Sequence, residues 1–167
     1  MANKLRNLTR DEIAAVMAMS ADRADPREVY REVERLARET CGFKLFTVLK
    51  YVEAAEAVER IHSRDEKAYP VGGRKPLDKI QDTHQALESG SFFLAATKDD
   101  VRKAYFDHEL IFSLGIGAIL NVPIRHAGRR LGTLNLCGEA ASYGPAAIDN
   151  GKLLAGLLVP TLLTASA

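Results

Sequence analysis

The densest run of chemically capable side chains is Phe106-Asp107-His108-Glu109. A His-Glu pair opens the H-E-x-x-H pattern, in which two imidazoles one helical turn apart hold zinc. Here the second histidine position is Phe112, so that chemistry lacks a ligand. His62, His84 and His126 share no metal-ligand spacing with His108. What the run retains is an aromatic ring, Phe106, and two groups, Asp107 and His108, able to meet a polar part of a ligand. A second run, Tyr69-Pro70-Val71-Gly72-Gly73-Arg74-Lys75-Pro76, has the makings of an anion grip. Its glycines free the backbone to approach a ligand, Tyr69 offers a ring and a hydroxyl, and Arg74 can hold a carboxylate or phosphate through two parallel N–H bonds. The Walker A pattern is missing, as is the G-x-S-x-G elbow of serine hydrolases. Gly115-x-Gly117 follows a helix and opens a strand, the reverse of a dinucleotide-binding turn.

Cys41 and Cys137 are the only cysteines and lie far apart, in neither a C-x-x-C pair nor a disulfide framework, which points to a reducing compartment. The 23 basic and 22 acidic side chains of the 167 residues leave a net charge of +1, with no basic excess to draw the chain to nucleic acid. Arg125-His126-Ala127-Gly128-Arg129-Arg130 reads as a solvated hairpin tip. The charged N-terminus is unlike an export signal, and the apolar stretch from Leu153 onward is too short and polar to span a bilayer, so a cytoplasmic protein without membrane contact is expected.

These residues have to be positioned by regular elements. Thr9-Arg10-Asp11-Glu12 is a capping box that starts a helix ending near Ser20, and Asp25-Pro26-Arg27-Glu28 starts a second that runs to Cys41-Gly42. Phe43 to Tyr51 and Val58 to Ser63 read as a β-hairpin. The prolines and glycines of 69–76 predict an irregular loop. A short helix over Ile80–Leu87, a strand over Ser91–Thr97, and a helix capped by Asp99-Asp100 and continuous to Gly115 follow. Ala118–Ile124 and Arg130–Cys137 form a second hairpin. A last helix begins at Pro145, with Ile148, Leu153, Leu154, Leu157 and Leu158 as its apolar face. Clustered, hairpin-linked strands predict an α+β antiparallel sheet with the helices of both chain ends on one face.

The stretch Ser113-Leu-Gly115-Ile-Gly-Ala-Ile-Leu-Asn121-Val-Pro123-Ile, followed by a short basic turn and Leu131-Gly132-Thr-Leu-Asn135-Leu, resembles the paired last strands of the GAF domain family. Gly42-Phe43 after the long helix and the polar loop before Pro145 fit the same scheme. The resemblance covers Pro26 to about Thr164, which divides the chain into an N-terminal extension, 1–25, and a GAF-like domain, 26–167. It implies a profilin-like sheet with a ligand pocket, roofed by loops and short helices, on the face opposite the terminal helices, and often a dimer. The members' known activities make separate demands. Cyclic-nucleotide binders carry an Asn-Lys pair where Asn135 is followed by Leu136. Free methionine-(R)-sulfoxide reductases cluster cysteines in the middle segment, which has none here. The phytochrome signature for bilin attachment is missing around Cys137.

Strand alternation gives an independent check. Leu120, Val122 and Ile124, with Leu134 and Leu136, form an apolar side for the helices, while Ile119, Asn121, Thr133, Asn135 and Cys137 face the other way. Polar groups on a covered face need partners, and a bound ligand could supply them. The expected site is therefore Tyr69, Arg74, Phe106, Asp107, His108, Asn121, Thr133, Asn135 and Cys137, binding a small polar or anionic molecule. No cofactor is identified. The expected function is a sensory or regulatory domain acting in trans on a separate output protein. A homodimer is expected from Leu157, Leu158, Leu162 and Leu163. An enzyme of the sulfoxide-reductase type and a purely structural dimerisation module are the alternatives.

Overall fold

The computed structural model describes residues 5–22 and 25–165. The expected extension, 1–25, lies partly outside the described residues. Helix α1 (Arg10–Ala21) starts where its capping box dictates: the Glu12 N–H donates to Thr9 Oγ1 at 3.2 Å, and the Thr9 N–H donates to the Glu12 carboxylate at 3.0 Å. Helix α2 (Pro26–Thr40) is capped by Asp25, which accepts the Arg27 N–H at 2.9 Å, and buries Val29, Val33, Leu36 and Ala37 along one stripe. Gly42, at φ +70°, ends it.

The strands are β1 (Leu45–Val52), β2 (Ala57–Ser63), β3 (Arg74–Pro76), β4 (Phe93–Ala95), β5 (Ala118–His126) and β6 (Arg129–Gly138). They form one sheet in the order β3-β2-β1-β6-β5-β4, every neighbouring pair antiparallel. The β5–β6 turn is Ala127-Gly128, both at positive φ, as a two-residue hairpin turn that matches strand twist requires. Between β3 and β5 lie α3 (Gln81–Glu88), α4 (Lys98–Ala104) and α5 (His108–Ser113); α6 (Pro145–Leu157) and α7 (Val159–Ala165) close the chain.

One sheet face carries Phe46, Val48, Leu120, Val122, Ile124, Leu134 and Leu136 into a core shared with α1, α2, α6 and α7. A smaller core of Leu45, Tyr69, Tyr105, Ile111, Ile116, Ile119 and Cys137 lies on the other face, beneath the middle segment. The α+β arrangement and both hairpins are as expected, and four local expectations are corrected. Residues 74–76 are an edge strand instead of irregular loop; Pro76 lacks an N–H, which an edge position tolerates. The helix expected from Asp99 to Gly115 is two helices. Thr97 caps α4, and Tyr105 then adopts extended backbone (φ −127°, ψ 121°) that separates α4 from α5. The C-terminal helix breaks at Leu158, ahead of Pro160, with a 42° bend. Leu153, assigned to its apolar face, is 50% exposed.

Leu157, Leu158 and Leu162 are buried within the chain's own core and Leu163 is half-buried, so the apolar surplus that suggested a dimer is already covered. Among the described residues no single helix is long and apolar enough to cross a membrane.

Candidate ligand-binding site

Beneath α3, α5 and the segment that joins α4 to α5, the second sheet face carries a cavity of about 70 Å³. Apolar side chains form most of its wall: Leu45, Leu49, Val58, Leu87, Ile116 and Ile119. Alternation brings Asn121, Thr133, Asn135 and Cys137 into it, as the sequence predicts, with Thr47 beside them.

Asn121, Asn135 and Thr47 stand opposite one another on β5, β6 and β1. They form a chain of hydrogen bonds across three strands. The Tyr105 hydroxyl donates to Asn121 Oδ1 at 2.5 Å, Asn121 Nδ2 to Asn135 Oδ1 at 2.5 Å, and Asn135 Nδ2 to Thr47 Oγ1 at 3.1 Å. The two amides are thus partnered within the protein, and the break between α4 and α5 has its cause: extended backbone at Tyr105 turns the ring inward to Asn121. Burial pushes the Tyr105 hydroxyl's pKa well up, so it remains a donor. The Thr133 hydroxyl, two residues along β6 from Asn135, has no partner among the described residues, nor does the buried Tyr51 hydroxyl at another part of the wall.

Arg60 was missed by the sequence reading and is the principal charge of the cavity. It is only 6% exposed. Its Nη1 donates to the Pro70 carbonyl at 2.9 Å and its guanidinium stacks 4.9 Å over the Tyr69 ring. Nε is buried without a partner, and no carboxylate among the described residues pairs with this guanidinium. Burial pulls its pKa below the ordinary arginine value, while Tyr69, Asp107 and Cys137 oppose that shift. The Pro70–Gly73 loop is bonded to the backbone of Arg60 through Arg60 N–H to Gly73 O (2.9 Å) and Gly72 N–H to Arg60 O (2.8 Å). A Cβ at Gly73 would stand 2.6 Å from Arg60 Nη1, so glycine is what lets the guanidinium lie against the loop.

A bulge sets Arg60 and His62 on opposite faces of the sheet. Along the β1–β2 ladder His62 opposes Val48 and Arg60 opposes Leu49, so Ile61 is an extra residue in β2. Residues two apart on a regular strand share a face; here Arg60 lines the cavity while His62 turns to the helix side. There its Nε2 lies 2.8 Å from the buried Glu34 carboxylate of α2. A period-2 reading of Ala57–Ser63 cannot see this switch.

Tyr69 lines the cavity, and its hydroxyl donates to Asp107 Oδ2 at 3.0 Å. Arg74 does not enter the site. It projects outward and pairs with Glu59 at 2.6 Å, because β3 sets Arg74 opposite the outward Glu59 and Lys75 opposite the inward Val58. Lys75 takes the role expected of Arg74: it lines the cavity and its Nζ meets Asp107 Oδ2 at 3.0 Å. Asp107 stands behind Tyr69 and Lys75 and holds both. Phe106 is 63% exposed, outside the cavity wall. His108 Nδ1 lies 2.9 Å from the Tyr105 carbonyl oxygen and its ring lies against Phe112, so it stabilises the α4–α5 break and does not line the cavity.

Cys137 faces the cavity, and burial pushes its thiol up to about 12 against the opposing pull of Lys75. Cys41 lies in the core on the helix face, its Sγ 3.5 Å from the Ala147 carbonyl, with burial raising it to about 11. The sheet separates the two thiols. Among the described residues no group of three His, Cys, Asp or Glu side chains is arranged to hold a metal ion.

A six-stranded antiparallel sheet with terminal helices on one face and a cavity roofed by short helices on the other is the GAF-type fold. No family model matches the sequence, and no curated protein matches it significantly. Solved structures do. The GAF domain of a phosphoenolpyruvate-protein phosphotransferase from Coxiella burnetii superposes with a TM-score of 0.74 at 14% identity, over 93% of each chain. The free methionine-R-sulfoxide reductase of Neisseria meningitidis, solved with its substrate, gives 0.72 at 14% identity over 99% of each chain. The chromophore-binding domain of a bacteriophytochrome from R. palustris gives 0.68 at 12% identity; the match covers 93% of this chain and 61% of that one. At these identities the likeness is one of fold.

Proposed function

We propose that this chain is a regulatory domain that binds a small anionic molecule in the cavity beneath α3–α5 and acts on a separate output protein. The observation that carries the reading is Arg60, a buried guanidinium facing an apolar-walled cavity with no carboxylate partner among the described residues. A buried charge without a counter-ion is costly, and an anion supplied from solution relieves that cost. Lys75 and Thr133 stand ready as further contacts, and the apolar wall suits the body of a small organic molecule. The GAF-type fold, found in both sensory and enzymatic proteins, is compatible with this reading. Assembly as a homodimer belongs to it as well. With Leu157, Leu158 and Leu162 buried, the large apolar side chains left exposed on the terminal helices α1 and α6 are Met17 and Leu153, and they are where a second copy would dock.

The sulfoxide-reductase alternative needs a reactive thiolate, and neither Cys41 nor Cys137 has the environment for one. The structural-module alternative needs a filled sheet face, which the cavity opposes. The decisive experiment is native mass spectrometry of gently purified protein, paired with thermal melts against a library of small metabolites. A bound small molecule, or an increase in Tm with an anionic compound, supports the reading. A ligand-free protein that no library member stabilises sinks it, and turnover of free methionine-(R)-sulfoxide lost on Cys137→Ser would establish the enzymatic alternative instead.

A further inference from the structure

From the unused edge of Arg60 we infer that the ligand class is a small monocarboxylate with a short apolar body. This rests on the ligand-binding reading above and specifies its chemistry. A guanidinium presents three edges of N–H donors. In Arg60, Nη1 is committed to the Pro70 carbonyl, whereas Nε is buried without a partner and Nη2 makes no hydrogen bond among the described residues. Nε–H and Nη2–H point the same way and are spaced for the two oxygens of one carboxylate. Three hydrogen bonds, two of them backbone, hold Arg60 against the Pro70–Gly73 loop, and stacking on Tyr69 fixes the guanidinium plane, so the fork is set before any ligand arrives.

The charge tally gives the valence. Arg60 and Lys75 bring two positive charges to the cavity, and Asp107 behind Lys75 returns one, leaving a surplus of a single charge. A monoanion neutralises it, while a phosphate dianion would overshoot and find one fork for three oxygens. The wall gives the remainder of the molecule. Beyond Arg60 lie Leu49, Val58, Leu87 and Ile119, which favour a branched aliphatic or small aromatic body, and the 70 Å³ of space sets it short. The unpartnered Thr133 hydroxyl, on the strand flanking Leu49 from the other side, marks where one additional polar atom would be accepted.

The test uses 4-methylpentanoate and benzoate as probes, with 4-methylpentanamide as the neutral isostere and inorganic phosphate and isobutyl phosphate as the other oxyanions. Binding is read by calorimetry and thermal melts. The expected result is a dissociation constant below about 1 mM for at least one carboxylate. At a hundredfold excess over that constant its Tm should rise by about 5–10 °C. The amide should bind at least about thirtyfold more weakly. Arg60→Met should abolish the preference for acid over amide, and Arg60→Lys, which keeps the charge but loses the fork, should weaken the carboxylate about tenfold. Should Arg60→Met fail to fold, Arg60→Lys and the amide comparison on the unaltered protein carry the test alone. Equal binding of acid and amide overturns the carboxylate assignment and leaves a ligand pocket standing. Binding of the phosphates alone overturns it in the same way. No binding by any probe overturns it too, and native mass spectrometry then separates a pocket of different chemistry, which retains a small molecule, from an empty cavity, which removes both readings.

Discussion

Asn135 is the middle member of the hydrogen-bond chain from Tyr105 through Asn121 to Thr47, and its replacement tests whether that chain holds the cavity floor. Leucine has nearly the shape of asparagine without its polar atoms. Asn135→Leu leaves Asn121 Nδ2 without its acceptor and Thr47 Oγ1 without its donor. A buried group stripped of its partner costs about 1–3 kcal/mol. The lower end applies here, because the adjoining cavity can admit water to the orphaned atoms. Two such groups give about 2 kcal/mol, which for a chain of this size lowers Tm by about 4–8 °C. The second half of the test is the fourfold variant Thr47→Val, Tyr105→Phe, Asn121→Leu, Asn135→Leu, which removes every member. With no orphan left it should return to within about 1 kcal/mol of the original, although the four changes summed independently would be severely destabilising. Urea melts at constant m-value measure both. A neutral Asn135→Leu, or a fourfold variant that loses the sum of its single changes, would refute the view that mutual satisfaction is what these groups contribute.

Other expectations follow from single contacts. Lys75→Met should weaken binding of 4-methylpentanoate at least about tenfold, while Arg74→Ala, which removes only a surface pair with Glu59, should leave it unchanged by calorimetry. Gly132→Ala places a Cβ 1.9 Å from the Leu49 carbonyl oxygen and should cost more than about 4 kcal/mol, enough to remove soluble folded protein. Gly156→Ala, on α6 with open space around it, should stabilise by about 0.5–1 kcal/mol in the same melts. The Cys137 thiol, held near 12, should react with iodoacetamide at pH 8 at least about a hundredfold more slowly than in the urea-unfolded chain. Because its pKa is raised on folding, its linked stability is complete below the ordinary thiol value near 9 and is lost as pH climbs from there toward 12. Melts at pH 8 and 10 should therefore diverge less in Cys137→Ala.

What the sequence reveals about this fold depends on whether regular repetition survives. Alternation along Ala118–Ile124 and Arg130–Cys137 is long and one-sided in polarity, and it assigns both faces of the two central strands, including Asn121, Thr133, Asn135 and Cys137. Where repetition is interrupted, side chains are misassigned. β3 has three residues, too few to display a period, so Arg74 looked as able as Lys75 to enter the site. The apolar spacing from Val101 to Ile111 continues through the break at Tyr105, because Tyr105 remains buried after leaving the helix. Arg60 carried no signal in its own spacing, since a charged residue in a short strand ordinarily faces water. Only its lack of a carboxylate partner, together with the cavity in front of it, distinguishes it.

The extra residue at Ile61 ties two features of β2 to one another through chain length. With it present, the same seven-residue strand sends a cation to the ligand face and an imidazole to the carboxylate of α2. Were the strand to pair regularly at the same length, with Ile61 drawn into the ladder, Arg60 and His62 would stand two residues apart on one face, both in the cavity or both among the helices. A descendant of this chain can therefore drift at many positions of β2, but at this length it can flatten the bulge only by giving up the buried cation or the contact with α2.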